Sequence, residues 1–175
     1  MIILLGSKTN LEINSPPQND PELRRYHQAK ALGKKTVLFV CTANAIRSQM
    51  AEALVNHFLR DRWAAFSAGF LPQTIHPLAV KALKEIGLDP GSQTSKHLDI
   101  FKDLKFDKVI TLCSQADEEC TYYPGMEEKV HLPFPDPGVS FSSFWGGAGR
   151  FRAVRDEMKK VLLAYLEQDL PGRNP

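Results

Sequence analysis

The run KTVLFVC, residues 35–41, most constrains this chain. Its apolar residues are continuous rather than alternating and are rich in β-branched types, the pattern of a parallel strand covered on both faces. A short loop follows, and then a helical spacing over residues 48–60 with Met50, Leu54 and Phe58 on one face. The alternation repeats. AAFSAG (64–69) reads as a second strand, and His76-Pro77 opens a helix to about Gly87 with Ala79, Ala82, Leu83 and Ile86 inward. KFDKVITLC (105–113) is another buried strand and KVHLPF (129–134) a fourth. RFRAVRDEMKKVLLAYLEQ (150–168) is a long amphipathic helix with Phe151, Val154, Met158, Leu162 and Tyr165 on its apolar stripe. Strands alternating with helices predict an α/β fold of three layers, a four-stranded parallel sheet flanked by helices. Ligands of such sheets sit outside the carboxyl ends of the strands. Cys41 and Cys113 both fall at such ends.

Residues 1–34 differ from the rest. SPPQND has a loop-like composition, and PELRRYHQAKALG fits a short helix ended by Gly33. The expected organisation is an N-terminal extension over 1–34, disordered in part, a single catalytic domain over 35–168 and a tail over 169–175. A net charge of +2, with the basic residues dispersed, argues against nucleic acid as a partner. No apolar run approaches a membrane span, and MIILL is too short and lacks the basic lead of a signal peptide. The expectation is a cytoplasmic monomer. Three cysteines are an odd number, unlike a secreted disulfide framework. Cys113 and Cys120 lie seven apart without a close pair of histidines, so no zinc site is expected, and no other bound metal.

The loop after the first strand carries chemistry. Thr42, Ala43, Asn44, Ala45, Ile46 and Arg47 join Cys41 to a helix that starts near Ser48. A loop of this length can curl its backbone N–H groups around an oxyanion, and the helix N-terminus adds partial positive charge. The planar fork of Arg47 can clamp two oxygens of a tetrahedral anion. The same surroundings favour thiolate over thiol at Cys41, and Ser48 can offer its hydroxyl to the sulfur. A bare cysteine and arginine at this spacing occur by chance; the strand, loop and helix around them make the reading specific.

CTANAIRSQMAEAL (41–54) resembles the catalytic loop of the low-molecular-weight tyrosine phosphatase superfamily and, more narrowly, of the thioredoxin-coupled arsenate reductases, which typically read CTGNSCRSQMAE or CTGNSARSQMAE there. SAG (67–69), HPLA (76–79), VITLC (109–113), Asp136-Pro137 and FRAVRDE (151–157) continue the resemblance in order, over about residues 35–167. It departs twice: Ala43 stands where glycine is usual, strained if that position needs a positive φ, and Ile46 replaces a common Cys or Ala. The resemblance implies a low-molecular-weight phosphatase-like fold and a general acid at Asp136. Such an acid protonates the oxygen that leaves when a thiolate attacks arsenate or a phosphoester.

A phosphatase needs only Cys41. Residues i and i+7 of a helix lie about 10 Å apart along its axis, beyond the roughly 7 Å between Cα atoms that a disulfide allows. A bond between Cys113 and Cys120 therefore requires the polar segment between them to rearrange. The spacing of these two cysteines matches the family's second and third redox cysteines, which implies a relay. Cys41 attacks arsenate, Cys113 attacks Cys41 as arsenite leaves, and Cys120 carries the oxidation to an external thiol reductant, thioredoxin or alternatively glutaredoxin with glutathione or another small thiol, with no bound cofactor. A phosphatase acting on phosphotyrosine or small phosphoesters is the alternative activity; Gln49 argues against it, because those enzymes usually carry proline after the Arg-Ser pair. A non-catalytic oxyanion-binding or redox-sensing module would need neither the nucleophile nor the acid.

His76 and His131 are weaker candidates for lining the site, Trp63 and Trp145 read as packing residues, and SSFWGGAG (142–149) as a flap. Some family members hold potassium behind the loop, and alignment places its side-chain ligands at Asn44, Glu52, Ser67 and position 96. The last is an Asp in those members and Lys96 here; its ammonium either takes the ion's place or belongs to a solvated surface lysine after a Thr-Ser turn.

Overall fold

The computed structural model describes residues 20–120, 127–139 and 147–169. Strands β1 (Lys35–Cys41), β2 (Trp63–Gly69), β3 (Lys108–Thr111) and β4 (Lys129–His131) are interleaved with helices α1 (Pro21–Ala31), α2 (Arg47–Phe58), α3 (Pro77–Lys84), α4 (Ser114–Glu119) and α5 (Gly147–Gln168). The strands pair in parallel in the order β2-β1-β3-β4. Val40 lies opposite both Ala68 and Thr111. Cys41, Gly69 and the residues just beyond Thr111 therefore finish at one end of the sheet. This is the three-layer α/β architecture the sequence implies, with β1 in the interior of the sheet.

Strand alternation divides the core in two. Val37, Phe39 and Cys41 face a cluster with Met50, Leu54, Leu83, Phe151, Met158 and Leu162, from α2, α3 and α5. Leu38 and Val40 face the opposite cluster, with Tyr26 and Ala29 of α1, Phe66, Phe101, Phe106 and Cys120. Val37, Leu38, Phe39 and Val40 are all fully buried, which is why the run is continuously apolar. Each such side chain contributes about 1.5–3 kcal/mol, so a charge at Phe39 would break the strand that carries Cys41.

Helix α1 starts at Asp20, whose carboxylate accepts from the Glu22 N–H, with Pro21 in the first turn. The chain turns out of it at Gly33, φ 70°. It packs on the sheet through Leu23, Tyr26 and Ala29. The Tyr26 ring meets Phe66 and Phe106, and its hydroxyl donates to the Lys105 carbonyl. His76 caps α3, its Nδ1 accepting from the Leu78 N–H.

Several elements differ in detail from expectation. Phe58 is 38% exposed rather than inward, because α2 ends there and buries Met50, Ala51, Leu54 and Val55 instead; the Lys159 ammonium covers the Phe58 ring at 4.0 Å. On α5, Leu166 is buried as well, and Tyr165 is half-buried against the same cluster with its hydroxyl donating to Glu128. Arg155 is also buried on that helix, donating to the Ala82 carbonyl. β3 and β4 are shorter than the runs 105–113 and 129–134. Trp63 is packed in the core. Trp145 and most of the expected flap, residues 142–146, lie outside the described residues, and residues 147–149 begin α5.

Candidate active site

The loop between β1 and α2 is held from outside by its carbonyls. Thr42, Ala43 and Ala45 accept from the N–H groups of Leu71, Gln73 and His76 at 2.9–3.0 Å. The Gln49 amide donates to the Asn44 carbonyl and side-chain oxygen, both at 3.0 Å. With the carbonyls used this way, the N–H groups of residues 43–46 have no acceptor among the described residues. They are available to an anion, and the first turn of the twelve-residue α2, which no side chain caps, supplies more donors.

Among the described residues, Asn44 is the one non-glycine residue with positive φ, 46°. Asparagine tolerates this conformation well, and Ala43 does not adopt it, so the alanine in place of glycine brings no strain there. Gly69, by contrast, has no substitute. A Cβ on it would stand 2.7 Å from Asn44 N and Thr42 O and 2.8 Å from Cys41 O. The loop presses on the end of β2, and a glycine ending a strand is the sequence signal of such a close approach.

Cys41 is buried, its sulfur 2.9 Å from Ser48 Oγ. Ser48 Oγ accepts from Asn44 Nδ2 at 2.8 Å, and Asn44 Nδ2 also donates to Ser67 Oγ at 2.9 Å. Ser67 in turn donates to Glu52 Oε2 at 2.6 Å. Lys96 is inside this network: its N–H donates to Asn44 Oδ1 at 2.8 Å, and its Nζ donates to the Thr94 carbonyl at 2.9 Å. That Nζ lies 3.5 Å from Glu52 and 3.8 Å from Glu22, with the side chain 4% exposed. The structure thus brings Asn44, Glu52, Ser67 and Lys96 together.

Arg47 Nη2 pairs with Asp136 Oδ2 at 2.9 Å, and Nη1 donates to the Phe134 carbonyl at 3.3 Å. The other Asp136 oxygen accepts from the Gly138 N–H at 2.8 Å. Cys41, the loop, Arg47 and Asp136 line one cavity of about 380 Å³ together with Gln73, Thr74, His76 and Gln115. A thiol, a ring of free N–H donors, a guanidinium and a carboxylic acid can bind a tetrahedral oxyanion, attack its centre and protonate a departing oxygen.

Parallel register brings the second cysteine close. Leu112 N–H donates to the Val40 carbonyl, and Cys113 Sγ is 3.4 Å from the hydroxyl of Thr42, the neighbour of Cys41. Cys120 sits at the far end of α4, buried in the opposite cluster, and burial pushes its thiol pKa up. All three cysteines are free thiols. His131 lies elsewhere, its ring against the Thr111 hydroxyl, while His76 does line the cavity. Among the described residues no three His, Cys, Asp or Glu side chains form a metal-binding group. The sequence reading missed Arg25, whose guanidinium reaches Glu52 at 2.6 Å; a basic residue in a polar extension carries no signal of its partner.

A parallel sheet with a thiol loop at its carboxyl end defines the class: α/β proteins that bind oxyanions over a cysteine. Within that class the chain belongs to the low molecular weight phosphotyrosine protein phosphatase family, whose model matches residues 36–170. It is 40% identical over 136 residues to an arsenate reductase of Halalkalibacterium halodurans, covering 78% of this chain and 98% of that protein. Among solved structures it is similar to an arsenate reductase in the oxidized state, with TM-score 0.65 and 29% identity over 77% of this chain and 98% of the other. A thioredoxin-dependent arsenate reductase of Corynebacterium glutamicum aligns with TM-score 0.58 and 25% identity, over 83% of this chain and 71% of that one.

Proposed function

We propose that this protein reduces arsenate to arsenite. The observation that carries the reading is the pair of thiols at the ends of adjacent strands, one under an oxyanion loop and the other beside Thr42. The Cys41 thiolate attacks As(V), and an arsenic-bound hydroxyl leaves as water after Asp136 gives it a proton. Arg47 moves from Asp136 to the anion as substrate binds, which also frees the acid for its task. The Cys113 thiolate then attacks the Cys41 sulfur. The S–As electron pair stays on arsenic, which departs as As(III), and a Cys41–Cys113 disulfide remains. Cys120 attacks Cys113, releasing the Cys41 thiolate and forming Cys113–Cys120. An external dithiol, thioredoxin, reduces that bond; the thioredoxin-dependent relative supports this donor.

Phosphate monoester hydrolysis through the same Cys41, Arg47 and Asp136 is the second reading, favoured by the family match. In both readings the Lys96 ammonium stands where a potassium ion would and neutralises Glu52, while the Lys96 backbone N–H holds Asn44. Activity and melting temperature are then expected to ignore potassium against sodium at constant ionic strength. Lys96→Asp is expected to destabilise the protein and make it potassium-responsive, and a wild-type protein activated by potassium contradicts the assignment. Arsenate-dependent NADPH oxidation with thioredoxin and thioredoxin reductase, run beside p-nitrophenyl phosphate hydrolysis, tests the function itself. Hydrolysis without arsenate turnover would replace the first reading with the second.

A further inference from the structure

We propose that α1, which precedes the family match, is a working part of the site, with Arg25 as a positioning residue that fixes the direction of the hydrogen-bond chain ending on Cys41. The proposal rests on Cys41 being the nucleophile.

Arg25 is held on several sides. Its Nη2 contacts Glu52 Oε1 at 2.6 Å and Glu22 Oε2 at 2.7 Å, its Nη1 donates to the Ala65 carbonyl at 2.9 Å, and its guanidinium lies 4.0 Å over the Phe66 ring. The Glu52 side chain is only 3% exposed. That anchored carboxylate, together with the Asn44 amide whose Oδ1 accepts from the Lys96 N–H and Gln49 Nε2, sets the direction of each bond. A carboxylate only accepts, so Ser67 donates to it. Having spent its hydrogen, Ser67 accepts from Asn44 Nδ2. The second Nδ2 hydrogen goes to Ser48 Oγ. Ser48 then keeps its own hydrogen for the Cys41 sulfur, a bond whose direction the 2.9 Å separation alone leaves open. A hydroxyl donated to sulfur favours the thiolate.

Charge balance supports the same role. Glu22, Arg25, Glu52 and Lys96 form a cluster of two anions and two cations, half of it contributed by α1. Without Arg25 two carboxylates face one ammonium, and the acceptor end of the chain loses its anchor. A plain structural staple would stabilise α1 without changing the sulfur.

The test uses the reduced full-length protein. Arg25→Met keeps the aliphatic stem over Phe66 and removes the fork, while Leu23→Ala loosens α1 in the same apolar cluster and has no part in the chain of bonds. Two readouts are made below the melting temperature of every variant: the rate at which iodoacetamide alkylates Cys41 at neutral pH, located by mass spectrometry, and inorganic phosphate binding by calorimetry. Arg25→Met is expected to slow alkylation and weaken phosphate binding, each by about tenfold, the scale of one charge-assisted hydrogen bond. Arg25→Lys is expected to fall between Arg25→Met and wild type, and Leu23→Ala to stay within about twofold of wild type despite a lower melting temperature. Wild-type values in Arg25→Met, or an equal loss in Leu23→Ala, would overturn the proposal. Should Arg25→Met not fold, Arg25→Lys decides: slower alkylation supports the proposal and an unchanged rate defeats it. Neither readout involves arsenate turnover, so this inference and the reductase reading fail separately.

Discussion

The Cys41 loop and the α4 segment lie at the same end of the sheet and are built to opposite plans. In the loop the carbonyls and the buried side chains are pinned while the N–H groups of residues 43–46 are left free for an anion: the carbonyls are held by the 71–76 segment and Gln49, and Asn44, Ser48 and Gln49 are at most 1% exposed. α4 has six residues, of which only Ala116 is buried. A helix this short has little stability of its own. Much of its attachment runs through Asp117, whose carboxylate accepts from Thr111 at 2.8 Å and pairs with Lys129 at 2.9 Å and whose carbonyl accepts from Lys129 Nζ, while Gln115 accepts from the Thr42 hydroxyl. Cys113 and Cys120 cap its two ends. Seven residues of helix put about 10 Å of axis between them, beyond the reach of a disulfide. Oxyanion chemistry calls for donors fixed in advance. A thiol relay calls for a spacer that can be taken apart, and burial of Cys120 means the same unwinding must also bring that thiol out.

The sharpest way to break this comparison is Cys41→Ser. Both arsenate reduction and phosphoester hydrolysis are expected to fall by roughly three orders of magnitude or more, because both use one nucleophile. Near wild-type turnover in either assay would mean the two activities do not share the loop. Next in size, Cys113→Ser and Cys120→Ser are each expected to remove thioredoxin-coupled arsenate turnover while p-nitrophenyl phosphate hydrolysis persists. Parallel loss of both activities would show that α4 supports the loop rather than serving the relay.

Asp136→Asn is expected to lower phosphoester kcat by roughly 10²–10⁴-fold, with phosphate still bound through Arg47 and the loop. A kcat within a few-fold of wild type would remove Asp136 as the acid. The smallest effect concerns the attachment of α4. The Lys129 and Thr111 hydrogen bonds lower the Asp117 pKa, so the folded state favours its carboxylate. Asp117→Asn weakens that tie and is expected to speed alkylation of Cys120 by roughly two- to fivefold, leaving Cys41 unchanged. No change at Cys120 would mean that α4 is held by something other than Asp117.

Much of this arrangement was legible in the sequence, and the parts that were not have physical reasons. KTVLFVC announced a strand buried on both faces, and the parallel layered fold follows from it. Cys41, Arg47, Ser48 and Asn44 fall close together in the chain, so one strand, loop and helix specify their grouping. Phe58 was misplaced because helical periodicity gives a face, whereas the end of α2 decides its exposure. Lys96 beside Glu52 came from alignment with relatives, not from any local pattern. Arg25 against Glu52 spans 27 positions, and Gly69 against the loop spans about as many; such contacts belong to the packed chain and leave no mark on either segment alone. The helical state of α4 was not legible either, since SQADEE reads equally well as a polar loop.

The central claim, that Cys113 takes the oxidation directly from Cys41 and that α4 separates this step from the next, has one direct measurement. Reduced Cys120→Ser protein is mixed with arsenate for a single turnover without thioredoxin, quenched with acid, and its peptides are mapped by mass spectrometry alongside the arsenite released. The account predicts one arsenite per protein and a Cys41–Cys113 linked peptide. Arsenite formed while Cys41 and Cys113 both remain free thiols would contradict it.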